Sequence, residues 1–235
     1  MYKSIKAISI VMVALLSITG CVEGDSSEKG NSSAQEKLSI NLSNYEKVAL
    51  TNDQTYALAY MWHEEKLAYD IYMELNKVHP AKQFENIATK SEIKHIALVQ
   101  DLVAWYDVNI TNLADYTVNY SQTELDTMPT GEFAVPEVQK LYDDLYTKGK
   151  SSSKDALEVA CMVEVVDVND LDRFIDQSVG NDALIDTFNI LRDGSYSHYW
   201  AFDKGLVNLG VSDGCCSLGT EYCHKEYPQN SKGKN

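Results

Sequence analysis

The chain has 235 residues, 44% of them hydrophobic, and a formal net charge of −15. That length accommodates one domain of about 150–200 residues with appendages, and the apolar share supports a sizeable core. The acidic balance offers no basic stripe to neutralise phosphates, which argues against nucleic acid as a partner, and it fits a soluble, cation-attracting surface.

Taken in order, residues 1–20 read as a lipoprotein signal peptide. Lys3 and Lys6 form a charged start, and Ala7 to Leu16 an apolar centre too short to span a bilayer, which needs about 20 residues. The end, Ile18-Thr19-Gly20-Cys21, resembles the bacterial lipobox. That resemblance implies lipidation of Cys21 and an exported protein held to a bacterial membrane, facing the periplasm or the cell exterior. The alternative is an ordinary secretory signal that ends near a cysteine. Residues 21–50 are mostly polar and predict a flexible tether.

Residues 51–210 predict an all-α domain, since only four prolines occur in the chain and apolar residues recur at helical spacing. Thr51-Asn52-Asp53 supplies N-cap chemistry for a first helix to about Lys77, with the stripe Leu58, Met61, Glu65, Ala68, Tyr72, Leu75. The neighbouring phase is also fairly apolar, so spacing alone does not separate Glu64 from Glu65. A second helix, about Phe84 to Tyr106, carries Ala88, Glu92, His95, Val99, Leu102 and Tyr106. A long connection follows over residues 107–151, holding one shorter helix from about Pro136 to Lys148. A third long helix, about Ser152 to Ile175, carries Leu157, Ala160, Glu164, Asp167, Leu171 and Phe174. A fourth, from the break at Gly180-Asn181-Asp182 to about Leu209, carries Leu184, Phe188, Leu191, Ser195, His198 and Phe202. The short links predict antiparallel neighbours, and the long one a crossover between helices two and three of a four-helix bundle.

Each stripe is interrupted near its middle by polar groups. A buried charge costs several kcal/mol unless it is paired or binds a metal. The residues Glu65, Glu92, His95, Glu164, Asp167 and His198 are therefore the candidate metal ligands. Carboxylates with imidazoles suit iron, manganese or zinc better than copper(I) or calcium, and Glu-x-x-His facing inward is half of a carboxylate-bridged two-metal site. The expected cofactor is one or two ions of iron or manganese. Such a site could react with oxygen or peroxide. Alternatively it could hold metal without turnover, or be a polar layer that fixes helix register or serves interaction. The nearby Tyr69, Tyr72, Tyr106, Tyr196 and Tyr199 are read mainly as core residues, and His63 as a surface residue or a support behind a ligand.

Glu65-Lys66-Leu67-Ala68-Tyr69-Asp70-Ile71-Tyr72 resembles the first-helix pattern E-x-x-A-x-x-x-Y of rubrerythrin-type ferritin-like proteins, and Glu92-Ile93-Lys94-His95 their second-helix E-x-x-H. Glu164-Val165-Val166-Asp167 resembles their third-helix pair of acids. A nearer likeness is to the domain-of-unknown-function 2202 family, through Glu64-Glu65-Lys66-Leu67-Ala68, Phe84-Glu85-Asn86-Ile87-Ala88, Ala156-Leu157-Glu158-Val159, Asp167-Val168-Asn169-Asp170-Leu171 and Ser195-Tyr196-Ser197-His198. The resemblance implies a ferritin-like bundle and favours Glu65 over Glu64. It also exposes a departure: the fourth helix carries Ser195 where E-x-x-H would place a carboxylate. Asp167 is the candidate to compensate.

Residues 211–235 form a tail with Cys215, Cys216, Cys223 and His224. In an exported protein a disulfide from Cys215 or Cys216 to Cys223 is expected in preference to zinc, and adjacent cysteines rarely bond each other. Cys161, one turn before Glu164, is expected as a free buried thiol. The sequence leaves homo-oligomer formation open.

Overall fold

Thr51 starts the first helix with a reciprocal pair of bonds. Its hydroxyl accepts from the Gln54 N–H, and the Gln54 side chain accepts from the Thr51 N–H. Helix α1 (Asn52–Val78) follows. A computed structural model describes residues 40–111, 113, 121, 123–124 and 127–229. The expected signal peptide, Cys21, most of the tether and the last positions of the tail lie outside them.

Helix α2 (Lys82–Ile87), a π-turn (Ala88–Glu92) and α3 (Ile93–Tyr106) run on without a break and form the second long segment. The sequence stripe predicts an uninterrupted helix here. The π-turn is a local widening, a feature often found at functional sites, and it delivers Glu92 and His95. Pro136 opens α4 (Pro136–Gly149). Ser152 caps α5 (Ser153–Gln177) by accepting from the Asp155 N–H, and Asn181 caps α6 (Asp182–Asn208) by accepting from the Leu184 N–H. Short 3-10 turns at Leu42–Asn44, Gly214–Leu218 and Thr220–Tyr222 add to these helices. Among the described residues the fold is all-helical, and no helix is long and apolar enough to cross a membrane.

Side-chain pairs fix the directions. Gln54 reaches the Gln177 carbonyl while Tyr72 reaches Glu164, so α1 and α5 run antiparallel. Tyr106 at the end of α3 bonds Asn181 at the start of α6, and Gln83 of α2 lies against Gly205 near the end of α6, so the α2–α3 segment and α6 run antiparallel too. All six stripe positions on α1, all six on α5 and all six on α6 are buried. These faces form one core with Val99 and Leu102 of α3. Burying each large aliphatic side chain there stabilises the fold by about 1.5–3 kcal/mol.

The connection before α5 is docked by a buried lysine. Lys66 pairs with Asp70, donates to the Glu132 carbonyl at 3.2 Å and lies over the Phe133 ring, while Asp70 accepts from the Gly131 N–H at 3.0 Å. Helix α4 then packs on α1 and α5.

The tail folds back on the domain. Tyr199 donates to the Tyr222 carbonyl at 3.0 Å, Trp200 to the Tyr227 carbonyl at 3.1 Å, and Asp203 accepts from the Cys215 N–H at 2.9 Å. This docking corrects the expectation for Cys161. It is not a free thiol but is bonded to Cys215, because the returning tail brings that cysteine onto α5. Cys216 is bonded to Cys223. The adjacent Cys215 and Cys216 thus take different partners.

Candidate metal centre

Two groups of potential ligands share one residue. Glu65, Glu92 and His95 form one, and Glu92, Glu164 and His198 the other; within each group the ligand atoms lie within 4.8 Å of one another. All five residues are buried. Glu92 stands between the two imidazoles: its Oε2 is 3.0 Å from His95 Nδ1 and its Oε1 is 2.9 Å from His198 Nδ1. Glu65 Oε2 approaches His95 Nδ1 at 3.1 Å from one side, and Glu164 Oε2 approaches His198 Nδ1 at 3.4 Å from the other. The cluster is therefore built as two halves about Glu92, with Nδ1 of each histidine turned inward.

Neighbouring residues fix this arrangement. Tyr72 donates to Glu164 Oε1 at 2.5 Å, which leaves Oε2 for the cluster. Burial and the nearby Glu164 charge push the Tyr72 hydroxyl well above its ordinary range, so it keeps its proton and remains a donor. Gly194 makes room for His95. A Cβ added there would lie 2.5 Å from His95 Cε1 and 2.6 Å from Nε2. The interior glycine of α6, which costs about 1 kcal/mol relative to alanine, is explained by that close approach.

The electrostatics follow from crowding. Burial pushes the Glu65 and Glu164 carboxyls up, against the pull of His95 and His198 respectively. Burial would also raise Glu92, but the two imidazoles overcome it and hold this carboxyl well below its usual range. Burial opposes charge on the histidines, yet the surrounding acids raise His95 well above 6.5 and His198 to about 10. Without metal, the two imidazoles are the counterions of the acids. Among the described residues no lysine or arginine pairs with Glu65, Glu92 or Glu164.

Two orphaned atoms test the fit to a metal. Glu65 Oε1 is buried without a hydrogen-bond partner, and His198 Nδ1 sits near two carboxylates without hydrogen-bond alignment to either. Leaving a buried polar atom unsatisfied costs about 1–3 kcal/mol. A cation among these atoms would satisfy both, and the donor set of three carboxylates and two imidazoles suits iron, manganese or zinc.

Asp167 and Ser195 stand beside the cluster. Ser195 donates to Asp167 Oδ2 at 2.5 Å, and its oxygen also lies 3.1 Å from the Leu191 carbonyl. Asp167 belongs to neither ligand group, and burial with the nearby Glu65 and Glu164 charges pushes its carboxyl well up. Glu64 lies beside Asp167 and Asp170, and burial and those acids push its carboxyl up as well. His63 corrects the surface expectation: it is buried, and its Nε2 donates to the Ile110 carbonyl at 2.9 Å. Tyr106 and Tyr199 serve Asn181 and the tail, so Tyr72 alone of the five singled-out tyrosines bonds a cluster carboxylate. Tyr72 is marked in the sequence by its place on the α1 stripe, seven residues after Glu65, as the Y of E-x-x-A-x-x-x-Y. A glycine inside a helical stripe does signal close approach, and Gly194 is such a case.

The fold and cluster define an all-helical protein with a buried carboxylate–histidine centre shared between its long helices. The chain belongs to the family described as an uncharacterized protein domain, DUF2202, which matches residues 54–219. It is similar to the uncharacterized protein MJ0754 of Methanocaldococcus jannaschii, with 32% identity over 169 residues, 72% of this chain and 83% of that protein. The crystal structure of hypothetical protein MJ0754 from Methanococcus jannaschii aligns with a TM-score of 0.60 at 30% identity, covering 70% of this chain and 86% of the other.

Proposed function

We propose that this is an exported ferritin-like metalloprotein whose cluster holds two ions of iron or manganese and reacts with oxygen or peroxide. The observation that carries the reading is the position of Glu92, one carboxylate oxygen toward each inward-turned histidine. Glu65, Glu92 and His95 would hold one ion, and Glu92, Glu164 and His198 the other. Ser195 stands where a fourth-helix carboxylate is missing, and Asp167, held by its hydroxyl, supplies a carboxylate to the same layer.

Bound iron or manganese would supply the redox change. The chain's own residues set the surroundings. Tyr72 orients Glu164 and keeps its proton. The close approach of Gly194 seats the His95 ring. Burial of all five ligand candidates strengthens each electrostatic contact at the centre.

Export to an oxidising compartment, with Cys21 as the lipid anchor, is supported by the pairing of the other four cysteines in disulfides. The lipobox resemblance points the same way.

The test is peroxide-dependent oxidation of Fe(II) bound to the purified protein. The reading predicts oxidation at least ten times faster than for the same Fe(II) in buffer, lost in Glu92→Ala and in His95→Ala. Metal uptake with oxidation no faster than in buffer would overturn the redox reading and leave a metal-binding module. A folded protein that takes up no metal would leave a structural or interaction role.

A further inference from the structure

An apolar cavity of about 230 Å³ opens onto the carboxylate–histidine cluster. Its floor is formed by Glu65, Glu92 and Glu164, with Asp167 and Ser195 beside them. Its walls are mostly hydrocarbon, from Leu67 and Ala68 of α1, Leu145 of α4, and Met162 and Val163 of α5, with Glu64 and Tyr222 as the polar side chains among them. The helix of the long connection, α4, is thus more than a link. It closes one side of a chamber that the long helices leave open. Leu141 and Val166 also line the cavity and are 41% and 42% exposed, which places its mouth between α4 and α5.

We infer that this cavity binds a small, uncharged, apolar organic molecule and holds it against the cluster. This deepens the proposed function by naming the class of molecule the same site would receive. Three observations define that class. Size comes first: an apolar cavity of about 150 Å³ takes up benzene, and a water-sized group occupies about 30 Å³. After two such groups at the polar floor, the chamber keeps room for a benzene- or toluene-sized molecule. Wall chemistry comes second. The walls are mainly aliphatic and thioether surface, with Glu64 and Tyr222 as their polar side chains, so a polar solute would lose most of its water without replacement. Charge comes third. Among the described residues the cavity is lined by acidic residues and by no lysine, arginine or histidine, so an organic anion of the same size would enter it without a counterion. The mouth lies at exposed aliphatic residues, a route matched to an apolar visitor.

The probe is 4-fluorotoluene, followed by fluorine NMR on the full protein, both metal-free and loaded with Fe(II) under anaerobic conditions. The inference predicts saturable binding at one site, displaced by toluene, and, in the metal-free protein, at least tenfold weaker binding of 4-fluorobenzoate. Val166→Trp, at the exposed mouth, and Ala68→Phe, in the wall, should each weaken 4-fluorotoluene binding at least tenfold. The exposed position of Val166 keeps the test informative should Ala68→Phe not fold. Unsaturable binding, equal binding of the benzoate by the metal-free protein, or undiminished binding in Val166→Trp would overturn the inference. The two readings fail separately. A protein that binds no metal but takes up 4-fluorotoluene refutes the metal centre and keeps the chamber, and one that binds metal but no probe does the reverse.

Discussion

His95 and Gly194 are in contact so close that the histidine ring occupies the space of a side chain on α6. A Cβ at Gly194 would lie 2.5 Å from His95 Cε1. In an ordinary helix interior, Gly→Ala stabilises by about 1 kcal/mol. Here Gly194→Ala is expected to displace the ring, lower metal content and bring no gain in melting temperature. A thermal melt with metal analysis on the same sample checks this. A more stable variant with full metal content would show that His95 has room to spare.

Tyr72→Phe removes the donor to Glu164 Oε1 and leaves that oxygen buried without it. The loss of a hydrogen bond to a charged or buried carboxyl costs about 1.5–3 kcal/mol. Urea unfolding of the metal-free protein should show that loss with an unchanged slope. No change in the midpoint would mean that another group satisfies Glu164.

Much of this was legible before the structure. The stripes on α1, α5 and α6 are buried at every position expected, because a period near 3.6 with few breakers leaves one apolar face to bury. That period placed Glu65, Glu92, His95, Glu164 and His198 at one depth. Whether they meet depends on helix directions and on the π-turn at Ala88–Glu92, and a linear pattern carries neither. Asp167 was equivalent to Glu164 by spacing; the packing separates them, with Glu164 turned to His198 and Tyr72 and Asp167 held by Ser195. Cys161 was misread for a similar reason. Its partner lies 54 residues away in a tail with no helical period, so nothing local signals the contact.

That disulfide yields a prediction of its own. It joins α5 to the tail across 54 residues, and closing a loop of this length stabilises a fold by about 2–4 kcal/mol. The double variant Cys161→Ala/Cys215→Ala should lose about that much in chemical denaturation. The wild type, unfolded without reductant, should show no reactive thiol at positions 161, 215, 216 or 223. Reactive thiol there would argue against an oxidising compartment.

His63 sets an acid limit. Burial lowers its pKa from 6.5 to about 4, against the help of the Ile110 carbonyl. Between these values the unfolded chain binds a proton that the native chain does not, so stability falls as pH drops from about 6.5 to 4. The full shift corresponds to about 3 kcal/mol. His63→Gln keeps a donor for the carbonyl but does not titrate. It should flatten the fall measured by denaturation at pH 7, 6, 5 and 4, whereas an unchanged slope would assign the acid sensitivity to other groups.

The most direct test of the central claim is the metal content of the purified protein after growth with iron, manganese and zinc all present. Two ligand groups sharing Glu92 predict about two equivalents of iron or manganese, lost in Glu92→Ala while the helical fold remains. A well-folded wild type that carries no metal, and takes up none when iron or manganese is supplied, would contradict it.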